Sequence, residues 1–307
     1  MHPDRIFYNA IMKTLSKNAI IGYPAGIITG ITYGLNPMFA MPLICAGAAI
    51  ETILFYRYAF AVVILGLFLW FRKQSFKITL RQAGVLLVMG LLYTMSSLFL
   101  FEAYNYIASG LATTIIFLYP VLVAIIMVFL GTVPSWPVWL AIAATFGGVV
   151  IMTQGGSDQS IHPVGVLLSV GSALVYALFI IFINRNKTIA GISNSLLTFY
   201  TLTVGSMVFL ARMVLSHTGI TQGIEGCAAW LNLVGLAVLP TIVSTATLAV
   251  ASRNIGATKA SVLGVFEPIT AILVGTLMFG EPLSANIVLG IGISIVAVTF
   301  MISLTKR

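Results

Sequence analysis

Residues 251–282 read ASRNIGATKASVLGVFEPITAILVGTLMFGEP, and the pair Glu267-Pro268 decides how the rest of the chain is read. An acidic residue and a helix breaker stand near the middle of an apolar run from Asn254 to Met278, long enough to cross a bilayer as a helix. A carboxylate at that depth is costly and marks a functional site by default. The stretch has a second version of itself. Shifted by 148 positions, Pro268 falls on Pro120, Pro282 on Pro134, Ala251 on Ala103, Ile255 on Ile107 and Ala260 on Ala112, without a gap. At the matching position Glu267 is replaced by Tyr119.

Composition places the whole chain in the membrane. Of 307 residues, 60% are hydrophobic and only 7% charged, with a mean hydropathy of +1.10. The formal charge of +8 does not point to nucleic acid, because the basic residues are scattered between apolar spans and never cluster with aromatics. Cys45 and Cys227 make no disulfide framework, and no metal-ligating set accompanies them. Arg5, Lys13 and Lys17 precede an apolar run that lacks a small-residue cleavage site, so that run reads as a retained first span.

Apolar segments recur at 20–41, 50–71, 82–102, 106–129, 136–153, 163–184, 194–216, 228–250, 254–278 and 284–304, each of bilayer-spanning length. The runs are continuous and not alternating, which excludes a β-barrel. With the N-terminus inside, 13 of the 15 basic residues fall on the cytoplasmic side, and Arg57 and Arg212 are left over. Both termini are therefore expected in the cytoplasm, and the cell membrane is the expected location.

The repeat extends beyond the opening stretch. Gly22, Gly26, Gly30 and Gly34 are four apart along the first span, and a shift of 143 places Gly165, Ser169, Ala173 and Ala177 at the same positions of the sixth. Such a stripe lets another helix approach closely. Tyr33 falls on Tyr176 in the same register. Five spans followed by five similar ones have opposite orientations, because five is odd. This is the inverted-repeat plan of secondary transporters, with sites near the midplane. The expected fold is an all-α integral membrane protein of ten helices in two inverted five-helix units. Residues 20–153 and 163–304 form the units, 154–162 an external linker, and 1–19 and 305–307 cytoplasmic ends.

The segment Ala103 to Ala112, Tyr119-Pro120, Phe266-Glu267-Pro268 and Gly280-Glu281-Pro282 together resemble the EamA-type branch of the drug/metabolite transporter superfamily. The resemblance covers residues 20–304. The first half departs from it at Thr132-Val133-Pro134, where the second half has Gly280-Glu281-Pro282. The resemblance implies a ten-helix carrier for amino acids or other small metabolites, often moving them outward.

Several residues carry candidate chemistry for binding or coupling. Glu267 either pairs with a substrate ammonium, carries a coupling proton, or holds a neighbouring helix at the Pro268 break. Pro268 frees the carbonyl of Gly264, as Pro120 frees that of Ile116. Tyr93, Ser96 and Ser97 map by the 148 shift onto Thr241, Ser244 and Thr245. Each trio lies on one helical face, either lining a shared cavity or hydrogen-bonding within the bundle. Asn36 beside Pro37 is a similar polar group at a break, and Tyr33, Tyr119 and Tyr176 lie deep enough to face a cargo. Pro37, Pro120 and Pro268 are the expected bending points. Arg57, about 10 Å deep by helical rise, is expected to snorkel or to pair with Glu51, Glu102 or a carbonyl. Glu102 and Arg212 lie near outer span ends and read as interfacial, as do Tyr104, Tyr106, Trp136, Trp139 and Trp230.

No catalytic set is found. Asp4 and Asp158 are the only aspartates, the three histidines are terminal or in loops, and the zinc-helix and phosphate-loop motifs are missing. The expectation is a gradient-driven carrier with no cofactor, whose partners are a small-molecule substrate, the lipid bilayer and a coupling proton. A carrier of cationic drugs or organic acids, and a channel or scaffold, stand as alternatives.

Overall fold

Lipid offers the backbone no hydrogen bonds, so apolar runs of this kind close their own as helices. The computed structural model describes residues 3–107, 109–153, 162–216, 219, 221, 223–279 and 285–305. Among them there is no strand. The helices are α1 (Pro3–Gly34), α2 (Asn36–Cys45), α3 (Ile50–Phe71), α4 (Leu80–Ala103), α5 (Ser109–Ile116), α6 (Tyr119–Phe129), α7 (Trp136–Thr153), α8 (Pro163–Arg185), α9 (Asn194–Leu215), α10 (Gly226–Leu236), α11 (Ser244–Ile255), α12 (Ala257–Val262), α13 (Phe266–Phe279) and α14 (Ala285–Thr305).

Seven described segments are long and apolar enough to cross a membrane, among them Asn18–Cys45, Gly226–Ile255 and Ala257–Met278. Tyr119–Phe129, Trp136–Gly148 and Val288–Met301 are shorter apolar helices. Large apolar side chains such as Phe71, Phe129, Leu167, Leu277 and Val296 are more than two-thirds exposed, as a lipid-facing surface requires.

The termini of these helices follow from local chemistry. Thr79 and Gln82 form a reciprocal capping box at the start of α4. Gly256, at φ +87°, ends α11, so the eighth run extends to Ile255 and the ninth begins at Ala257 and not at Asn254. At the other end of the chain, α1 begins at Pro3 and runs through the expected cytoplasmic segment 1–19 without a boundary at residue 20. Gly280-Glu281-Pro282, linker residues 154–161, and Lys306 and Arg307 lie outside the described residues.

Packing follows the repeat. The first-half helix α1 lies along α11 and meets α13; its counterpart α8 lies along α4 and meets α6. The equivalent helices α3 and α9 pack on each other, as do α7 and α14. The correspondence reaches single contacts. A Cβ at Gly22 would stand 2.5 Å from Ile255 Cγ2, and one at Gly165 would stand 2.9 Å from Ile107 Cγ2.

Gly30 and Gly34 carry the same approach to the middle of the bundle. A Cβ at Gly30 would lie 2.8 Å from Phe266 Cβ, and one at Gly34 would collide with the carbonyl oxygen of Glu267. Gly34→Ala and Gly30→Ala are therefore expected to destabilise the protein by about 1–3 kcal/mol each, the cost of overpacking. Gly84→Ala, whose Cβ meets nothing within 4 Å, should not lower stability. Melting temperatures of the detergent-purified variants decide this. A Gly34→Ala protein that melts with the wild type would refute the close approach.

Candidate functional site

Four of the long apolar runs are interrupted, and the interruptions build the site. Leu35 separates α1 from α2, with Pro37 in the first turn of α2. Phe117 and Leu118 separate α5 from α6, with Pro120 in the first turn of α6. A 3₁₀ turn, Leu263–Val265, leads into α13, whose first turn holds Glu267 and Pro268. The fourth break is a π-helical stretch, Ala237–Val243, containing Pro240. A proline lacks the N–H that would continue the ladder, so each break leaves polar backbone exposed to side chains.

Tyr119 and Glu267 thus open equivalent helices, each beside a proline. A carboxylate in a first helical turn is favoured by the helix dipole. Tyr119 reaches across the repeat: its hydroxyl packs on Gly264, occupying the space that a side chain there would fill. The ring of Tyr119 stands edge-on to Tyr176, centroids 4.9 Å apart, and Tyr176 stacks on Tyr33 at 5.8 Å. Since Tyr33 and Tyr176 are equivalent residues, the two halves meet at their stacked rings. Tyr176 continues through Phe179 to Tyr93 and Tyr58.

The Glu267 carbonyl stands against Gly34, so the start of α13 lies beside the turn of α1 that carries Tyr33. Tyr33, Tyr119, Tyr176 and Glu267 are each no more than 3% exposed, so nothing reaches them without movement of the helices. Three buried phenols and a buried carboxyl where the matched helix breaks meet make a place able to receive a polar partner from outside the chain.

The other expected candidates have partners. Thr245 donates to the Tyr93 hydroxyl at 2.9 Å, joining the two matched polar faces. Ser97 accepts from Tyr58 at 2.7 Å, and Ser96 meets Ser172 at 3.1 Å. Thr241 accepts from Arg57 Nε at 2.5 Å, while the Ser244 carbonyl accepts from Thr29 of α1 at 3.5 Å. These contacts pin helices together. Asn36 is intermediate: its Nδ2 donates to the Tyr33 carbonyl at 2.9 Å, and its Oδ1 is buried without a partner.

Of the alternatives expected for Arg57, the structure bears out the carbonyl: the side chain is wholly buried, neither snorkelling nor paired with an acid, and its Nη2 reaches the Pro240 carbonyl at 3.4 Å. Glu51 instead pairs with Arg212 at 3.2 Å, with Glu102 at 4.0 Å from the same guanidinium, because α9 brings Arg212 beside the outer ends of α3 and α4. Tyr104, expected as interfacial, is half-buried, whereas Tyr106, Trp136, Trp139 and Trp230 are exposed at about a third or more. The π stretch was missed, and its signal was Pro240 in the middle of an apolar run.

A family model of EamA-like transporters matches residues 20–154 and again 163–303. The chain belongs to the EamA-like transporter family. An uncharacterized transporter of Archaeoglobus fulgidus is 26% identical over 59% of this chain, and one of Synechocystis sp. is 26% identical over 70%. The matched parts span 62% and 64% of those relatives' own lengths. A protein of known crystal structure superimposes with a TM-score of 0.73 at 14% identity, over 95% of this chain and 99% of the other, a likeness of fold.

In this EamA-like transporter the contact of Tyr119 with Gly264 joins the two matched helix breaks. Gly264→Ala is expected to lower the melting temperature by the equivalent of about 1–3 kcal/mol, since its methyl collides with the hydroxyl. Adding Tyr119→Phe removes the colliding oxygen and should recover part of the loss. Strictly additive losses in the double variant would mean that the two residues do not touch.

Proposed function

We propose that the protein is a secondary carrier of the cell membrane that moves small metabolites, amino acids foremost, outward by alternating access. One observation carries this reading: a buried carboxyl and three buried phenols gathered where the helix breaks of two matched halves meet. The ten segments read from the sequence, taken as ten crossings with both termini cytoplasmic, make two inverted units, residues 20–153 and 163–304. The seven long apolar segments and three shorter ones support that count.

In this mechanism Glu267 receives the ammonium of the cargo or exchanges it for a coupling proton, and Tyr33, Tyr119 and Tyr176 supply aromatic walls and single hydrogen bonds. Pro37, Pro120 and Pro268 are the bending points about which the halves rock. Asn36 offers its free amide atom beside Tyr33. No catalytic, metal or cofactor role is assigned to any residue.

Counterflow in proteoliposomes with a panel of labelled amino acids tests the reading. Wild-type protein is expected to exchange at least one of them at a pH-dependent rate. Glu267→Gln should be slower by roughly tenfold or more, the scale of one charge-assisted hydrogen bond, and insensitive to pH. A variant with the rate and pH profile of the wild type would remove Glu267 from the mechanism. Counterflow itself separates a carrier from a channel or scaffold, neither of which exchanges substrate in this way.

A further inference from the structure

The site has a second buried charge that this mechanism leaves unused. Arg57 is wholly buried in α3, and among the described residues it has no ion pair. Its Nε and Nη2 are held by Thr241 and the Pro240 carbonyl of the π stretch, whereas Nη1 is buried without a partner. A guanidinium does not escape burial by losing its proton, so the fold carries a permanent cation with one N–H edge open. An isolated buried charge of this kind is strongly unfavourable unless something completes it.

Its place relative to Glu267 is informative. The guanidinium lies 5.7 Å from the Tyr58 ring, and Tyr58 leads through Tyr93 and Phe179 to Tyr176 and Tyr119 in steps of 4.9–6.3 Å. Tyr119 in turn packs on Gly264, one helical turn before Glu267. Successive ring contacts thus connect the surroundings of Arg57 to the turn that precedes Glu267. The alternative role for Arg57, a staple of α3 onto the π stretch, uses Nε and Nη2 and leaves Nη1 unexplained.

We propose that Arg57 is the second pole of the site. It receives the carboxylate of a zwitterionic cargo whose ammonium meets Glu267, the two charges being separated by an apolar chain that lies along the rings. The inference rests on the transport reading above and narrows its substrate class to amino acids with well-separated charges. Nη1 supplies the open donor for the carboxylate, and the aromatic faces cover the chain between.

The detergent-purified full chain is titrated with ε-aminocaproate, n-hexylamine and caproate, which share a chain length and differ in charge, and its melting temperature is followed. Wild-type protein is expected to respond to the zwitterion at concentrations roughly tenfold or more below those needed for the amine or the acid. Arg57→Met should erase that advantage while keeping the response to the amine, and Arg57→Lys should restore part of it. Glu267→Gln should instead lose the response to the amine. The second pole is overturned if n-hexylamine stabilises the wild type as well as ε-aminocaproate does, or if none of the three has any effect. The wild-type comparison stands even where Arg57→Met fails to fold. A failed second pole leaves pH-dependent, Glu267-dependent counterflow intact, whereas failure of the transport reading abolishes counterflow itself.

Discussion

Everything at the centre of the molecule depends on how closely α1 can lie on the start of α13. Gly30 and Gly34 have no side chain to hold the helices apart, so the backbone of α1 rests on Phe266 and on the carbonyl of Glu267. In lipid, apolar side chains gain little by leaving one apolar surroundings for another, and such backbone contact is the main attraction between helices. The glycines thus fix the depth and direction of Glu267. They also place Tyr33, one residue before Gly34, beside the break that carries the carboxyl.

The second half repeats the arrangement with larger residues. Ala173 and Ala177 stand where α1 has Gly30 and Gly34, and Tyr119 stands where α13 has Glu267. A phenol needs more room than a carboxyl, and Tyr119 finds it over Gly264, in the other half. The scaffold is therefore nearly symmetric while the groups it presents are not. One half contributes an aromatic wall that ends in a neutral hydroxyl, and the other contributes an acid. Arg57 breaks the symmetry again, because the shift that relates the halves offers no second buried arginine among the described residues.

Much of this was legible before any coordinates. The offset between Pro120 and Pro268 also relates Ile107 to Ile255, and these two isoleucines do fill equivalent contacts against Gly165 and Gly22. The glycine spacing and the helical faces of Tyr93 and Thr245 come from periodicity, which a helix preserves. The partner of Arg57 does not. Depth follows from counting residues, but direction depends on which helix stands opposite, and here that is a segment 184 residues away. Pro240 was equally visible in the sequence. Its counterpart in the first half is Leu92, in an unbroken α4, so an argument built on matched prolines passed over it.

The same unmatched proline bears on how the proposed rocking is achieved. The π stretch places the Thr241 hydroxyl and the Pro240 carbonyl against Arg57, and Thr245 one turn further on against Tyr93. Besides the glycine contacts of α1 and the guanidinium, hydroxyl hydrogen bonds and ring edges join the halves around the site. The ion pairs of Arg212 with Glu51 and Glu102 lie at the periphery, near the helix ends. Neutral hydrogen bonds are worth about 0.5–1.5 kcal/mol each, net of those made to water. A core fastened mainly by such bonds separates states by a few kcal/mol, small enough for a bound cargo to tip the balance. Arg57 differs from these in carrying a permanent charge, and a cargo that completes its open edge acts on the hydrogen bonds that join α3 to the π stretch.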